Sequence, residues 1–303
     1  SRVPPPPPRA RAVIAMAADE DADPRSLEDQ HLTFGNLGRT VDGTGLAYRS
    51  AESKGKKLGQ IKAIEKYSHL LRIDFSDNVI KDVAPLKLLK SVLWLNLAKN
   101  EIPSLKAWEP EEDEEVLPSL TYLDLSSNIL ATLGPLPMKV LKVANFAKNA
   151  ITACQEFTGH ANLRELDLSG NKLTSLAGIA EMPMLKKLDV SSNAEVAELT
   201  GEGNVLTELP SIEEFSLAGT AIKALDGPWP DMPSLAKLDI SCCSIPEVSA
   251  LAALRQLPKL RSLKVSGNVF SGGLSPSQSA TERTPRGSTT PRGSTTPRGS
   301  TTP

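Results

Sequence analysis

One pattern recurs nine times along this chain of 303 residues, and it constrains the fold more than any other feature. Its clearest copy is LRELDLSGNKL, from Leu163 to Leu173. We call the place of Asn171 the ladder position. An apolar residue stands eight before each ladder position, and another stands two after it in every copy except the sixth, which has Glu195. The nine ladder residues are Asn78, Asn100, Asn128, Asn149, Asn171, Asn193, Thr220, Cys243 and Asn268.

This spacing matches the leucine-rich repeat consensus LxxLxLxxNxL and predicts an α/β solenoid. The alternating core of each copy predicts a short strand, and stacked copies place their strands about 4.7–4.9 Å apart in a parallel sheet on the concave side. Apolar residues then recur every third residue, as from Ile245 to Leu257, which predicts short helices or 3₁₀ turns on the convex side. We expect about nine repeats and an N-terminal cap.

The ladder residues are predicted to turn inward and bond the backbone, because a buried polar group without a partner costs about 1–3 kcal/mol. Asparagine suits this place because its side chain both donates and accepts hydrogen bonds. Thr220 can still do so, whereas the Cys243 thiol is a weak donor. We therefore expect the seventh and eighth repeats to be less rigid.

Four segments are predicted. Residues 1–26 are rich in proline and alanine and are expected to be disordered; their run Pro4–Pro8 is either a spacer or a docking site for an SH3-like or profilin-like partner. Residues 27–67 lead into the cap, in which 48–57 form a polar strand. Residues 68–271 carry the repeats, and 272–303 form a disordered tail of PRGSTT units.

The second repeat contains an acidic insertion, Glu109 to Val116, in which six of the first seven residues are acidic. Charge repulsion predicts that it extends into solvent. Two interpretations remain open: it is a solvated loop, or it docks a basic partner.

Composition excludes several classes of function. The net charge of −2 provides no basic field for nucleic acid, and no apolar run approaches the ~20 residues that cross a bilayer. The three cysteines form no cysteine-rich caps, which favours a reducing, cytosolic setting with Cys242 as the exposed thiol. No nucleophile elbow, phosphate loop or metal motif is present, and the three histidines share no repeat phase. We expect no enzyme, cofactor, metal or small-molecule substrate.

The concave face is therefore the candidate protein-binding site. Six residues before the ladder position stand Arg72, Trp94 and Tyr122 in the first three repeats, and the two aromatic residues are expected to be neighbours. They are either an interface anchor or a cover for the end of the sheet. An acidic column lies four residues before the ladder position and consists of Asp74, Asp124, Asp167, Asp189 and Asp239. It either has a structural role or forms a surface that binds a basic segment.

Two resemblances suggest a role. Intervals near 22 resemble the repeat class named after a regulatory subunit of protein phosphatase 1. The stretches GTGLAYRSAESKGKKLGQIKAIEKYSHLLRIDFSDNVIKDVAPL and LPMKVLKVANFAKNAIT are similar to the ciliary leucine-rich-repeat proteins of the third axonemal radial spoke. The resemblance covers about residues 37–270 and departs after Asn268, where a C-terminal cap would be expected. It implies a scaffold that contacts other spoke proteins in the cytoplasm and cytoskeleton, at the axoneme of cilia or flagella. The alternative is an adaptor of a phosphatase 1-like subunit in the cytosol or nucleus.

Overall fold

Each repeat adds one short strand to a single sheet, in which the described residues form eleven strands that follow one another in chain order. The structure is a computed structural model and describes residues 26–40, 43–111, 114–154, 156–199, 209–225 and 232–271. The strands are β1 Thr33–Arg39, β2 Leu46–Glu52, β3 Arg72–Asp74, β4 Trp94–Asn96, β5 Tyr122–Asp124, β6 Val143–Asn145, β7 Glu165–Asp167, β8 Lys187–Asp189, β9 Glu214–Ser216, β10 Lys237–Asp239 and β11 Ser262–Lys264.

The strands from β2 to β11 are parallel and keep one register throughout. The middle residue of each strand pairs with the middle residue of the next, as Ile73 does with Leu95 and Leu95 with Leu123. These middle side chains point away from the concave surface and are buried from β3 to β10. The predicted leucine-rich-repeat solenoid with a concave parallel sheet is therefore confirmed.

The convex side consists of extended segments and short 3₁₀ helices. The apolar residues spaced by three after Ile245 form the longest of these, Val248–Gln256, as the spacing predicts. Buried Leu and Ile side chains from the sheet and the convex side meet in one continuous core, and each contributes roughly 1.5–3 kcal/mol. The 3₁₀ helices are Asp29–His31, Lys62–Lys66, Ala84–Leu88, Lys106–Trp108, Val248–Gln256 and Val269–Ser271.

The N-terminal cap is a hairpin rather than the single polar strand expected between residues 48 and 57. Strands β1 and β2 pair antiparallel, and β2 then pairs in parallel with β3. Phe34 fixes the hairpin to the first convex turn, because its ring lies 5.2 Å from that of Tyr48 and 5.0 Å from that of Tyr67. Below it, Leu27 and Ala51 are buried, so the first layer of the core is covered.

The prediction that the acidic insertion lies in solvent is confirmed for Glu109, Pro110, Glu111 and Glu115, which are exposed, and is wrong for Glu114 and Val116. Glu114 pairs with Lys87 at 2.6 Å, with only 26% and 14% of the two side chains exposed. Lys90 donates to the Glu115 backbone carbonyl, and Val116 is buried in the core. Lys87 and Lys90 thus hold the C-terminal part of the insertion, Glu114 to Val116, against the convex side.

Several predictions fall on residues outside the described ranges. Residues 1–25 and 272–303, both expected to be disordered, are among them, whereas Ser26 pairs with Gln60 beside the cap. Across the described part of the chain, no helix is long and apolar enough to cross a membrane. The same residues contain no group of three or more His, Cys, Asp or Glu side chains that could hold a metal ion.

Candidate functional site

The ladder residues join neighbouring repeats through their amides. Asn171 shows the arrangement: its Nδ2 donates to the carbonyl of Leu168 in its own repeat (2.8 Å) and to that of Phe146 in the preceding one (3.0 Å). Its Oδ1 accepts the backbone N–H of Ile151 at 3.1 Å. One side chain therefore satisfies three buried backbone groups across two repeats. Equivalent amide bonds are made by Asn78, Asn100, Asn128, Asn149, Asn193 and Asn268.

The two substituted ladder positions make fewer bonds of this kind. The Thr220 hydroxyl donates to the Leu217 carbonyl of its own repeat at 2.8 Å. The Cys243 thiol reaches the same carbonyl from the next repeat at 3.3 Å. Neither side chain has an amide, so neither can donate twice and accept at once. The lower rigidity of these repeats remains a prediction.

The acidic column has a structural role at the end of each strand. One carboxylate oxygen accepts the backbone N–H two residues later, as Asp167 does from Ser169 (2.9 Å) and Asp189 from Ser191 (2.9 Å). This side-chain-to-backbone bond closes the turn that leads to the ladder position. Asp74, Asp124 and Asp239 make the same bond, at 3.1, 2.9 and 3.0 Å. The second oxygen of each carboxylate is left for other contacts.

At the C-terminal end of this column, Asp239 is also an ion-pair partner. Its Oδ2 lies 3.1 Å from Lys264 Nζ. Burial raises the pKa of the Asp239 carboxyl, but the hydrogen bonds from Ser241 and the charge of Lys264 together outweigh burial, so the pKa lies below its ordinary value. The Asp239 carboxylate therefore remains ionised, and its charge is balanced by Lys264 of the neighbouring strand β11.

At the N-terminal end of the concave face, three side chains on adjacent strands form one stack. The Trp94 and Tyr122 rings lie 5.1 Å apart and within 8° of parallel. The Arg72 guanidinium lies over the other face of Trp94, with Cζ 3.3 Å from the ring centroid. Arg72 is exposed and both rings are half-buried. We call these three residues the aromatic stack.

Tyr122 also contacts the acidic column. Its hydroxyl lies 3.5 Å from Asp124 Oδ2, at the limit of a hydrogen bond. Burial of the ring and the negative charge of Asp124 raise the pKa of Tyr122 above its ordinary value. The phenol therefore stays protonated and can donate, so the stack has a hydrogen-bond donor at the Tyr122 edge and a cation, Arg72, over Trp94.

The aromatic stack occupies the position six before the ladder. In the C-terminal half of the sheet, that position holds charged residues of alternating sign: Glu165, Lys187, Glu214 and Lys237. Lys237 pairs with Glu214 at 2.5 Å. Lys187, Glu214 and Lys237 border a shallow depression of about 210 Å³ whose walls include Asp189 and Asp239. This half of the face is thus lined with charges of both signs, among which Lys237 forms an ion pair with Glu214 and Lys264 with Asp239.

The remaining reactive side chains are explained by packing. Cys154 lies in the convex core, where burial raises the pKa of its thiol to about 12, and Cys242 is exposed as expected. His160 is buried and its Nε2 bonds the Met138 carbonyl at 2.9 Å. Sequence reasoning missed the Arg72–Trp94 contact, although all three members of the stack share one repeat position.

Comparison with known proteins agrees with this architecture. A family described as Leucine Rich repeat matches residues 159–180. The chain is 30% identical to human "Leucine-rich repeat-containing protein 23" over 267 residues, 82% of this chain and 69% of that protein. It is also 30% identical to the bovine protein of the same name over 250 residues, 77% of this chain and 65% of that protein. The chain thus spans about two thirds of the length of these relatives.

A solved structure supports the fold alone. The leucine-rich repeat domain of APL1B superposes with a TM-score of 0.55 at 22% identity, covering 69% of this chain and 58% of that one. No catalytic family is indicated, and proteins of this fold bind other proteins. The repeat register, the asparagine ladder and the relatives lead to one conclusion: the chain belongs to the leucine-rich repeat family and is homologous to leucine-rich repeat-containing protein 23.

Proposed function

We propose that this chain is a non-enzymatic scaffold that binds a protein partner through the N-terminal half of its concave face. The observation that carries the proposal is the aromatic stack of Arg72, Trp94 and Tyr122. Trp94 and Tyr122 lie outside the buried core, in which large apolar side chains serve repeat stacking, and are therefore accessible to a partner.

The stack has the properties of an interface anchor. Its members are held before binding, by ring contact on one side of Trp94 and by the guanidinium on the other, so little side-chain entropy is lost when a partner arrives. Aromatic and arginine side chains of this kind contribute about 2 kcal/mol or more at the centre of an interface. Asp74 and Asp124 occupy the same register position on either side of Asn96, and their acceptor oxygens suit a partner that carries Lys or Arg.

We further infer a place for this scaffold among the radial spoke proteins of the axoneme, in motile cilia or flagella. Support comes from the resemblance that extends through the lead-in before the first repeat, residues 43–67, which repeat periodicity alone does not explain. The alternative, an adaptor of a phosphatase 1-like subunit, is supported only by the repeat interval.

The first experiment is localisation of the tagged full chain in a ciliated cell, followed by extraction with detergent and moderate salt. We expect the chain to stay with the axoneme. Trp94→Ala combined with Tyr122→Ala should release it, because two anchors of about 2 kcal/mol each correspond to roughly a thousandfold weaker binding.

The matched control is Glu165→Ala combined with Lys187→Ala, which changes the same column on two adjacent strands of the other half. This variant should stay with the axoneme. A soluble pool that co-purifies with a phosphatase catalytic subunit would overturn the axonemal role. Equal release of both variants would overturn the assignment to the aromatic stack.

A further inference from the structure

The last described repeat has a core that the other described residues leave partly uncovered. Leu263, the middle residue of β11, is 41% exposed, whereas Leu238 at the same register position in β10 is 1% exposed. Leu260, Val265 and Phe270 are half-buried, although their counterparts in the preceding repeat are fully buried. The uncovered side chains belong to one layer, the one that a following repeat would cover in this architecture.

The backbone of β11 is also open on its outer side. In each earlier repeat, the residue three before the ladder position donates its N–H to the next strand, as Ile240 does to the Lys264 carbonyl (2.9 Å). The residue one before the ladder position does the same, as Cys242 does to Ser266 (2.7 Å). The corresponding N–H groups of the last repeat belong to Val265 and Gly267, and no described strand follows them. This edge presents a template for one more parallel strand.

The charge around this edge is positive. Residues 245–271 contain Arg255, Lys259, Arg261 and Lys264 against a single acid, Glu247. Lys264 pairs with Asp239 on the inner side, and the described residues offer no acidic partner to the other three cations. Two copies of this basic end would repel each other. The positive charge therefore favours an acidic segment as the binding partner of the β11 edge.

The molecule itself shows which positions of an added strand would meet these cations. Residues seven before the ladder position of two successive repeats lie side by side, and one such pair is Lys186 and Glu213, whose charged groups are 2.7 Å apart. Four before the ladder position, Asp239 pairs with Lys264 of the next repeat. Arg261 and Lys264 occupy these two positions at the open edge. An added strand would thus place one acid beside Arg261 and a second acid, three residues later, beside Lys264.

We propose that β11 accepts, as a twelfth parallel strand, an extended segment of another protein with the pattern acid–x–apolar–acid–apolar. Main-chain hydrogen bonds to Val265 and Gly267 provide affinity, and the two apolar side chains cover Leu263 and Val265. The PRGSTT units of this chain do not fit the pattern, because they contain neither acidic residues nor apolar residues other than proline.

The test is fluorescence anisotropy of a dye-labelled peptide, LETLDLSG, with the full chain at 50 mM salt. We expect saturable binding that weakens with salt and is about tenfold weaker for LKTLKLSG, in which both acids are lysine. Val265→Pro removes one outward N–H and should also weaken binding, while the double variant at Trp94 and Tyr122 should bind normally.

The matched control for charge is Lys142→Glu, which lies at the same register position as Arg261 but between two paired strands. Arg261→Glu should weaken LETLDLSG binding, and Lys142→Glu should leave it unchanged. Equal binding by both variants, or no binding by the wild-type chain, would overturn the proposal. Self-association that Leu263→Glu abolishes would also overturn it and assign the edge to a second copy.

Discussion

The two ends of the solenoid finish the same sheet in different ways. At the N-terminal end, the hairpin of β1 and β2 covers the first layer of the core, and its Phe34 ring contacts the Tyr67 ring of the first convex turn. At the C-terminal end, β11 pairs with β10 alone among the described strands, and Leu263 is exposed. A repeat cannot bury its own apolar face, so each end needs a piece that differs from the repeat. The comparison teaches that an end without such a piece among the described residues has an open edge, which can pair with a further strand.

The largest expected difference between the ends is the cost of removing a core leucine. Leu95→Ala should lower the free energy of unfolding by about 2–5 kcal/mol, because it leaves a cavity in a fully buried layer. Leu263→Ala should cost about 1 kcal/mol or less, because part of that side chain is already in water. Urea unfolding of both variants measures the difference. Equal losses would mean that the C-terminal end is closed.

The next difference concerns the ladder. Asn171→Ala should cost about 1–3 kcal/mol, because the Leu168 and Phe146 carbonyls lose a buried donor. Cys243→Asn should instead raise the free energy of unfolding by about 1 kcal/mol, because it supplies the missing amide. Urea midpoints of the two variants against the wild-type chain test this pair of signs. A destabilising Cys243→Asn would show that the eighth repeat cannot accommodate the amide geometry of the others.

A smaller effect should appear in the pH dependence of stability. Because the folded pKa of Asp239 lies below its ordinary value, its contribution is present above that ordinary value, about 4, and is lost as pH falls through the folded pKa. Asp239→Asn should therefore reduce the loss of thermal stability between pH 7 and pH 3. The control is Asp77→Asn, which replaces an exposed side chain near the opposite end. It should have a smaller effect on the loss of thermal stability between pH 7 and pH 3.

The smallest effect is chemical and leaves stability unchanged. Iodoacetamide should modify Cys242 alone in the folded chain, because the other two thiols are buried and the pKa of Cys154 is raised to about 12. Mass spectrometry before and after addition of guanidinium counts the modified thiols. Rapid native labelling of Cys154 would show that the middle of the solenoid opens as readily as its end.

Much of this fold could be predicted because the repeat pattern acts locally and repeatedly. Once Asn171 fixed the register, the positions of β3 to β11 followed from spacing, and so did the proximity of Trp94 and Tyr122. Strands at a fixed interval must align at the same register if every middle side chain is to be buried. Such inference needs no knowledge of distant contacts.

The features that could not be predicted depend on contacts between segments with no common pattern. Strand β1 lies outside the repeat and is stabilised by Phe34 against rings far along the chain. The acidic insertion is held by Lys87, which lies in the preceding convex turn and whose direction the sequence does not specify. The same limit applies to the candidate site: the register brings Arg72 beside Trp94, but only coordinates show the guanidinium over the ring.

The ladder also determines how the protein responds to force. Because each amide joins one repeat only to its neighbour, tension applied along the chain has no distant cross-connection to oppose it, and repeats should peel away in sequence from the unprotected end. Each detached unit of about 22 residues would lengthen the chain by roughly 75 Å at full extension. A protein built this way is therefore expected to lengthen under force in discrete steps, one repeat at a time.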